Sequence, residues 1–287
     1  MHAGNDVRRT VGFTFFPADG CARRALGAAV SLITVLPLCG APALSVRTVE
    51  FAPAVAMSFV RLAPDAYLRG SHESEGGRDR DEGPQHDVTL SRSFWLGTHE
   101  VTQAQWTAVM GENPAVFRRG EDAPQRPVES ISWGDGQRFI AKLGARGLGK
   151  FRLPTEAEWE FAARAGMTTR FPWGDDLKEV ETHAHAWANS RSYAVTHPVG
   201  TKKPNGWGLF DMHGGVWEWC SDWYGPYADG AQRDPTGPAS GRERVFRGGS
   251  WYDFPTSLRS ANRHRHTPGG RYPAVGLRLV YVPEEKP

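Results

Sequence analysis

Apolar residues recur at helical spacing in three stretches between residues 102 and 166. From Gln103 to Met110 they place Trp106, Val109 and Met110 on one face, with Thr102 as the cap and Gly111 as the stop. Ser132 is placed to cap a second helix, in which Phe139, Ile140 and Leu143 share a face before Gly144 and Gly147. The third helix carries the fullest set of signals. Pro154 fixes the entry, Thr155 and Glu158 form a capping box, Trp159, Ala162 and Ala163 make the apolar stripe, and Gly166 ends it. Shorter runs read as strands: Phe59 to Leu68, Val88 to Leu90, Phe94 to Leu96, Val245 to Arg247, and Val275 to Val282, where Leu277, Leu279 and Tyr281 alternate with Arg278 and Val280. Together these predict an α+β domain.

Between the periodic segments, residues 44–58 read as an apolar, Ala/Pro-containing linker, and the polar run from Ser71 to Gln85 reads as a surface loop. After Gly166 the periodicity fades while Trp, Gly and Pro accumulate. All 11 tryptophans lie between Trp95 and Trp251. Such rings fill a core with little regular secondary structure, provided each indole N–H finds an acceptor. No repeat of fixed period is present.

The amino terminus departs from this pattern. Arg23 and Arg24 precede an uncharged run from Ala25 to Leu38, followed by Ala41-Pro42-Ala43. Basic residues, an apolar segment and a small-x-small site are the order of a secretory signal, so residues 1–43 are expected to be a signal peptide and the protein periplasmic or secreted. A buried core helix is the alternative. The run is shorter than the roughly 20 apolar residues of a spanning helix, so no transmembrane anchor is expected in the mature chain. Cleavage after Ala43 removes four of the 34 basic residues (Arg8, Arg9, Arg23, Arg24) and two of the 32 acidic ones (Asp6, Asp19), leaving 30 of each. That balance gives no reason to expect a nucleic-acid partner. Of three cysteines only Cys220 would remain, so no internal disulfide can form.

Several blocks carry a family resemblance that periodicity does not supply. They are Phe94-Trp95-Leu96-Gly97 with Glu100-Val101-Thr102, Pro127-Val128 with Ser132-Trp133, Arg152 to Glu160, Asn205 to Leu209, Val216-Trp217-Glu218-Trp219, Arg247 to Trp251, and Gly276 to Leu279. In order and spacing they resemble the sulfatase-modifying factor, or formylglycine-generating enzyme, family across roughly residues 59–282. The resemblance implies one domain, set at residues 59–284, with a C-type-lectin-like fold low in regular secondary structure. In the family's oxidase branch, two cysteines after the Gly-Gly-Ser block bind copper and oxidise a substrate cysteine to formylglycine. Here those positions fall on Asp253 and Leu258. Cu(I) wants soft thiolates, so copper is not expected and no catalytic residue is identified.

The resemblance also implies a calcium site with side chains from Asp211 and Glu218 and main-chain oxygens from Gly214 and Val216. Hard oxygen donors on a glycine-rich loop suit that ion. A second family calcium site would begin at Asn189 and Ser190. His264 and His266, and His183 and His185 with His197 and His213 nearby, could hold a transition metal or be solvated histidines. Arg247, Arg259, Arg263 and Arg278 could grip a carboxylate or phosphate, or serve the core by stacking on tryptophans. Two functions from different classes follow. One is a peptide- or small-molecule-binding module or scaffold, stabilised by calcium. The other is an oxidoreductase acting on another substrate without paired cysteines, as in the family's pyoverdine-maturation branch; the formylglycine-generating oxidase itself stands behind both. The ergothioneine branch draws its iron from an extra helical domain that these residues do not supply.

Overall fold

A computed structural model describes residues 44–186 and 195–283, and the backbone path of residues 30–35. The expected leader therefore lies outside the described residues, apart from Val30–Val35. That segment forms strand β1, antiparallel to β2 (Leu44–Ala52).

The three helices form where the capping signals place them. In α1 (Gln103–Met110), Thr102 Oγ1 accepts from Gln105 N, Gln105 Oε1 accepts from Thr102 N, and Gly111 closes the helix at φ 86°. The same reciprocal boxes open α2 (Trp133–Ala145) at Ser132 and Asp135, and α3 (Glu156–Arg164) at Thr155 and Glu158. Helix α3 stops one residue before the expected glycine, with Ala165 itself in the left-handed region.

The main sheet runs in the order β1, β2, β3 (Val55–Leu62), β6 (Phe94–Gly97), β13 (Val280–Val282), β7 (Lys150–Arg152). Residues 44–58 are thus strand rather than linker, a correction with a plain cause. Val49, Phe51, Met57 and Phe59 supply one apolar face in alternation, and it packs with Trp106 of α1 and with Phe139 and Leu143 of α2. Trp106 and Phe139 stack at 4.9 Å and 3°. The other face, with Val60, Leu62, Phe94, Leu96 and Val280, packs on Trp159, Phe161 and Ala162 of α3.

The expected strand Phe59 to Leu68 is divided. Its second half is β4 (Asp65–Arg69), which joins β5 (His86–Leu90) and β9 (Gln232–Arg233) in a small sheet. The expected strand Val275 to Val282 is divided too. Val275–Gly276 (β12) runs parallel to β8 (Trp217–Trp223) in a further sheet with β10 (Arg244–Arg247) and β11 (His264–His266), while residues 280–282 enter the main sheet. A short helix, α4 (Val180–His183), lies in the long loop region. Among the described residues no helix is long and apolar enough to cross a membrane.

Trp133, Trp159, Trp217, Trp219 and Trp251 donate their indole N–H to protein acceptors, whereas Trp106 and Trp173 bury theirs without one. The acceptor condition on a tryptophan-rich core is thus met at five described rings and not at two.

Candidate functional site

The glycine-rich loop from Phe210 to Val216 is held tightly from both sides. A Cβ on Gly214 would fall 2.3 Å from His185 O, and one on Gly215 would fall 2.4 Å from Glu100 Oε1, so both positions need glycine. Val216 N donates to Glu100 Oε1 at 2.7 Å, and Trp251 N donates to Gly215 O at 2.8 Å, which ties the loop to the Gly-Gly-Ser segment.

Three buried carboxylates, Glu100, Asp211 and Glu218, lie beneath this loop within reach of one another's charge. Asp211, buried and itself at φ 56°, accepts from Gly200 N at 2.6 Å. Glu218 accepts from Trp159 Nε1 at 2.7 Å and from Arg278 Nη2 at 2.7 Å. Arg278 also donates to Gly97 O and Phe210 O. Burial, helped by Glu218 and opposed by Gly200 N and Arg278, pushes Asp211 up to about 6. Burial and then the charges of Asp211 and Glu218 push Glu100 well above the usual carboxylate range. Three acids therefore feel the charge of one guanidinium in a dry site, and only Glu218 bonds to it. Among the described residues no three His, Cys, Asp or Glu side chains converge as a metal cluster. The expected calcium set has only two such side chains, Asp211 and Glu218, and draws its other oxygens from the backbone of Gly214 and Val216. Asn189 and Ser190 lie outside the described residues.

Asp253 and Leu258, where the resemblance would put the oxidase branch's cysteines, have different surroundings. Asp253 Oδ2 accepts from Trp217 Nε1 at 2.9 Å and from Ser250 Oγ at 2.5 Å. Leu258 is fully buried against Phe171 and Val180, and its carbonyl accepts from His213 Nδ1 at 2.6 Å. Cys220 is sealed in the core, where burial raises its thiol well above the ordinary value. No thiolate can reach Asp253 from among the described residues.

The surface around Asp253 is aromatic. Tyr252 and Phe254 are 58% and 65% exposed, and Trp251 meets Phe117 edge-on at 5.1 Å. Trp217 meets His264 at 5.3 Å, and His264 stacks on Phe246.

The histidines are engaged separately. His266 lies against Tyr272, His183 stacks on Trp173, and His185 stacks on His197 at 4.4 Å. Burial, with the neighbouring His197, lowers His185 to about 3, and burial lowers His213 to about 4.

The four carboxy-terminal arginines prove to be internal. Arg278 pairs with Glu218, Arg259 with Glu82 and Glu75, Arg263 with Glu156, and Arg247 with Glu156 and Glu160. Their side chains are spent on the core rather than on a ligand. Arg247 also lies over Trp159, at 5.4 Å. Three of these partners, Glu82, Glu156 and Glu160, were not anticipated. Glu82, expected in a surface loop, is fully buried, and Glu156, Glu160 and Arg164 form a buried charged stripe on α3 beside its apolar one. Repetition every four residues was the available signal, and it reads equally as a solvated face.

A buried ion-pair framework, a capped α3 crossing a curled sheet and a glycine-rich loop closing on the Gly-Gly-Ser segment define a formylglycine-generating-enzyme-like fold. The family model of the sulfatase-modifying factor enzyme 1-like domain matches residues 53–282, and the chain belongs to that family. The chain is 38% identical over 215 residues to the formylglycine-generating enzyme of Streptomyces coelicolor, covering 69% of this chain and 64% of that protein. It is 34% identical over 241 residues to the serine/threonine-protein kinase pkn1 of Chlamydia caviae, covering 75% of this chain but only 36% of that protein. The chain thus spans about a third of that relative's length. Among solved structures it is similar to Treponema denticola variable protein 1, at a TM-score of 0.75 and 31% identity over 83% of this chain and 99% of that one. It is also similar to PvdO from Pseudomonas aeruginosa, at a TM-score of 0.71 and 27% identity over 82% and 97% of the two chains.

Proposed function

We propose that this protein is an exported binding module that presents the aromatic surface around Asp253 to a peptide or small-molecule ligand and is not a cysteine-dependent formylglycine oxidase. The replacement of both cysteine positions carries this reading. A carboxylate tied to Trp217 and a leucine packed in the core leave no soft ligand pair for copper. The exposed rings offer a rigid, amphipathic contact area of the kind that dominates interfaces. Calcium is the proposed resident ion, held by Asp211, Glu218 and the carbonyls of Gly214 and Val216. Its charge would offset the excess of buried acid and brace the loop behind the surface.

A second reading is favoured by the likeness to PvdO: an oxidoreductase acting on a different substrate without paired cysteines. Elemental analysis of the purified protein separates the two, combined with oxygen uptake in the presence of added copper and a cysteine-containing sulfatase peptide. Calcium without copper or iron, and no oxygen uptake, is the expected result. Formylglycine formation would overturn the binding reading, and stoichiometric copper or iron without it would favour the second.

A further inference from the structure

Away from the Asp253 surface, a cavity of about 320 Å³ is lined by Arg69, His86, Glu156, Trp223, Tyr227 and Arg263, among others. Its floor belongs to the buried ion cluster, in which four guanidiniums (Arg69, Arg164, Arg247, Arg263) face the carboxylates of Glu156, Glu160 and Asp222. The cluster holds one more cation than anions.

The surplus can be located. Arg164 donates to Gly70 O and Thr169 O, Arg247 to Ser260 O and Ala261 O, and Arg263 to Asp81 O and Gly225 O, each in addition to its carboxylate. Arg69 meets Glu156 Oε2 at 2.8 Å but, unlike the other three, donates to no backbone carbonyl among the described residues; its Nε, like that of Arg247, is buried without a hydrogen-bond partner, although the side chain is only 5% exposed. A guanidinium carries five N–H donors, and an incompletely bonded one out of water is costly. The ring of Tyr227 is flanked by this group at 4.2 Å and by Arg263 at 4.0 Å, and its buried hydroxyl also lacks a partner. Arg69 thus stands at the cavity wall, oriented by stacking and under-used by the protein.

We propose that this cavity binds a small oxyanion, a carboxylate or a phosphate, on the guanidinium of Arg69. Planar forks match both groups in two-point fashion, and Trp223, Tyr227 and Pro226 give the wall an apolar part beside the polar Glu156, Gln232 and Thr236. The volume lies at the lower end of small-ligand pockets, of roughly 300 Å³ and upward, so the anion belongs to a small molecule.

Calorimetric titration of the purified chain with acetate and with inorganic phosphate, at ionic strength balanced with chloride, tests the proposal. Saturable binding of at least one anion is expected: acetate alone would identify an organic acid, phosphate alone a phosphate compound. Arg69→Lys keeps the charge but loses the fork, and should weaken binding by about tenfold or more. Thr236, on the exposed rim of the cavity, provides a variant that leaves the ion cluster intact. Thr236→Trp should block binding while the circular dichroism spectrum stays unchanged. Saturable binding of neither anion, or binding that survives Thr236→Trp, overturns the proposal.

Discussion

Trp217 Nε1 donates to Asp253 Oδ2 at 2.9 Å, which fixes this acid to β8, an interior strand of its four-stranded sheet. Ser250 holds the same oxygen, so this carboxylate is oriented rather than loose. Asp253→Ala should lower stability by about 1 kcal/mol, the ordinary worth of such a bond, as read by urea denaturation. A loss indistinguishable from zero would mean that the indole finds water instead. On the proposed function, ligand binding at this surface would fall in the same variant.

Arg278 and Glu218 form a fully buried pair that also receives the Trp159 indole. Glu218→Gln strands a guanidinium out of water and should cost about 3–5 kcal/mol. Replacing both partners by apolar residues, Glu218→Leu with Arg278→Met, should recover a large part of that loss, because neither charge then remains to be desolvated. Equal instability of the single and double variants would count against the pairing.

Asp211 gives a pH signature. Its folded value of about 6 stands above the ordinary 3.8, so the folded state holds the proton more tightly, and stability from this group falls as pH rises between those values. In calcium-free buffer, Asp211→Asn should therefore gain on the wild type across that window, by up to about 3 kcal/mol at 1.36 kcal/mol per unit. If the proposed ion binds there, added calcium should raise the wild-type Tm and leave the variant unmoved. A parallel rise in both would place the ion elsewhere.

His213 has the opposite sign. Its folded value of about 4 lies below the ordinary 6.5, so the stability that depends on the neutral ring is present above 6.5 and drains away as pH falls toward 4. His213→Leu loses the hydrogen bond to Leu258 O, at about 1 kcal/mol near pH 7.5. That deficit should narrow on acidification in a series of denaturation curves, and a constant deficit would show that the ring titrates normally.

The capping residues explain why the helices were legible in the sequence. Thr102, Ser132 and Thr155 act within three residues of themselves, so local order was enough. The strand at residues 44–52 was missed because the Ala52-Pro53-Ala54 run at its end hid an alternation that only a paired β3 makes meaningful. The family's blocks located Asp253, Leu258 and the glycine-rich loop, but not the charged interior. Arg259 and Glu82 lie far apart in sequence, and a buried glutamate in a polar run looks like any solvated one until the fold brings its partner to it. Arg69 was invisible for the same reason. Its significance lies in bonds the protein does not make.

One strand constrains how the molecule comes to exist. Val280 pairs with Leu96 on one side and with Arg152 on the other, so β13 is an interior member of a sheet whose other strands all precede it in the chain. While a ribosome is still making residues 280–282, β6 and β7 have no neighbour between them and the two apolar faces cannot both close. The main sheet is therefore completed only after residues 280–282 have been made. Until then a nascent chain stays open between β6 and β7, the condition in which a polypeptide can be threaded through a narrow translocation pore.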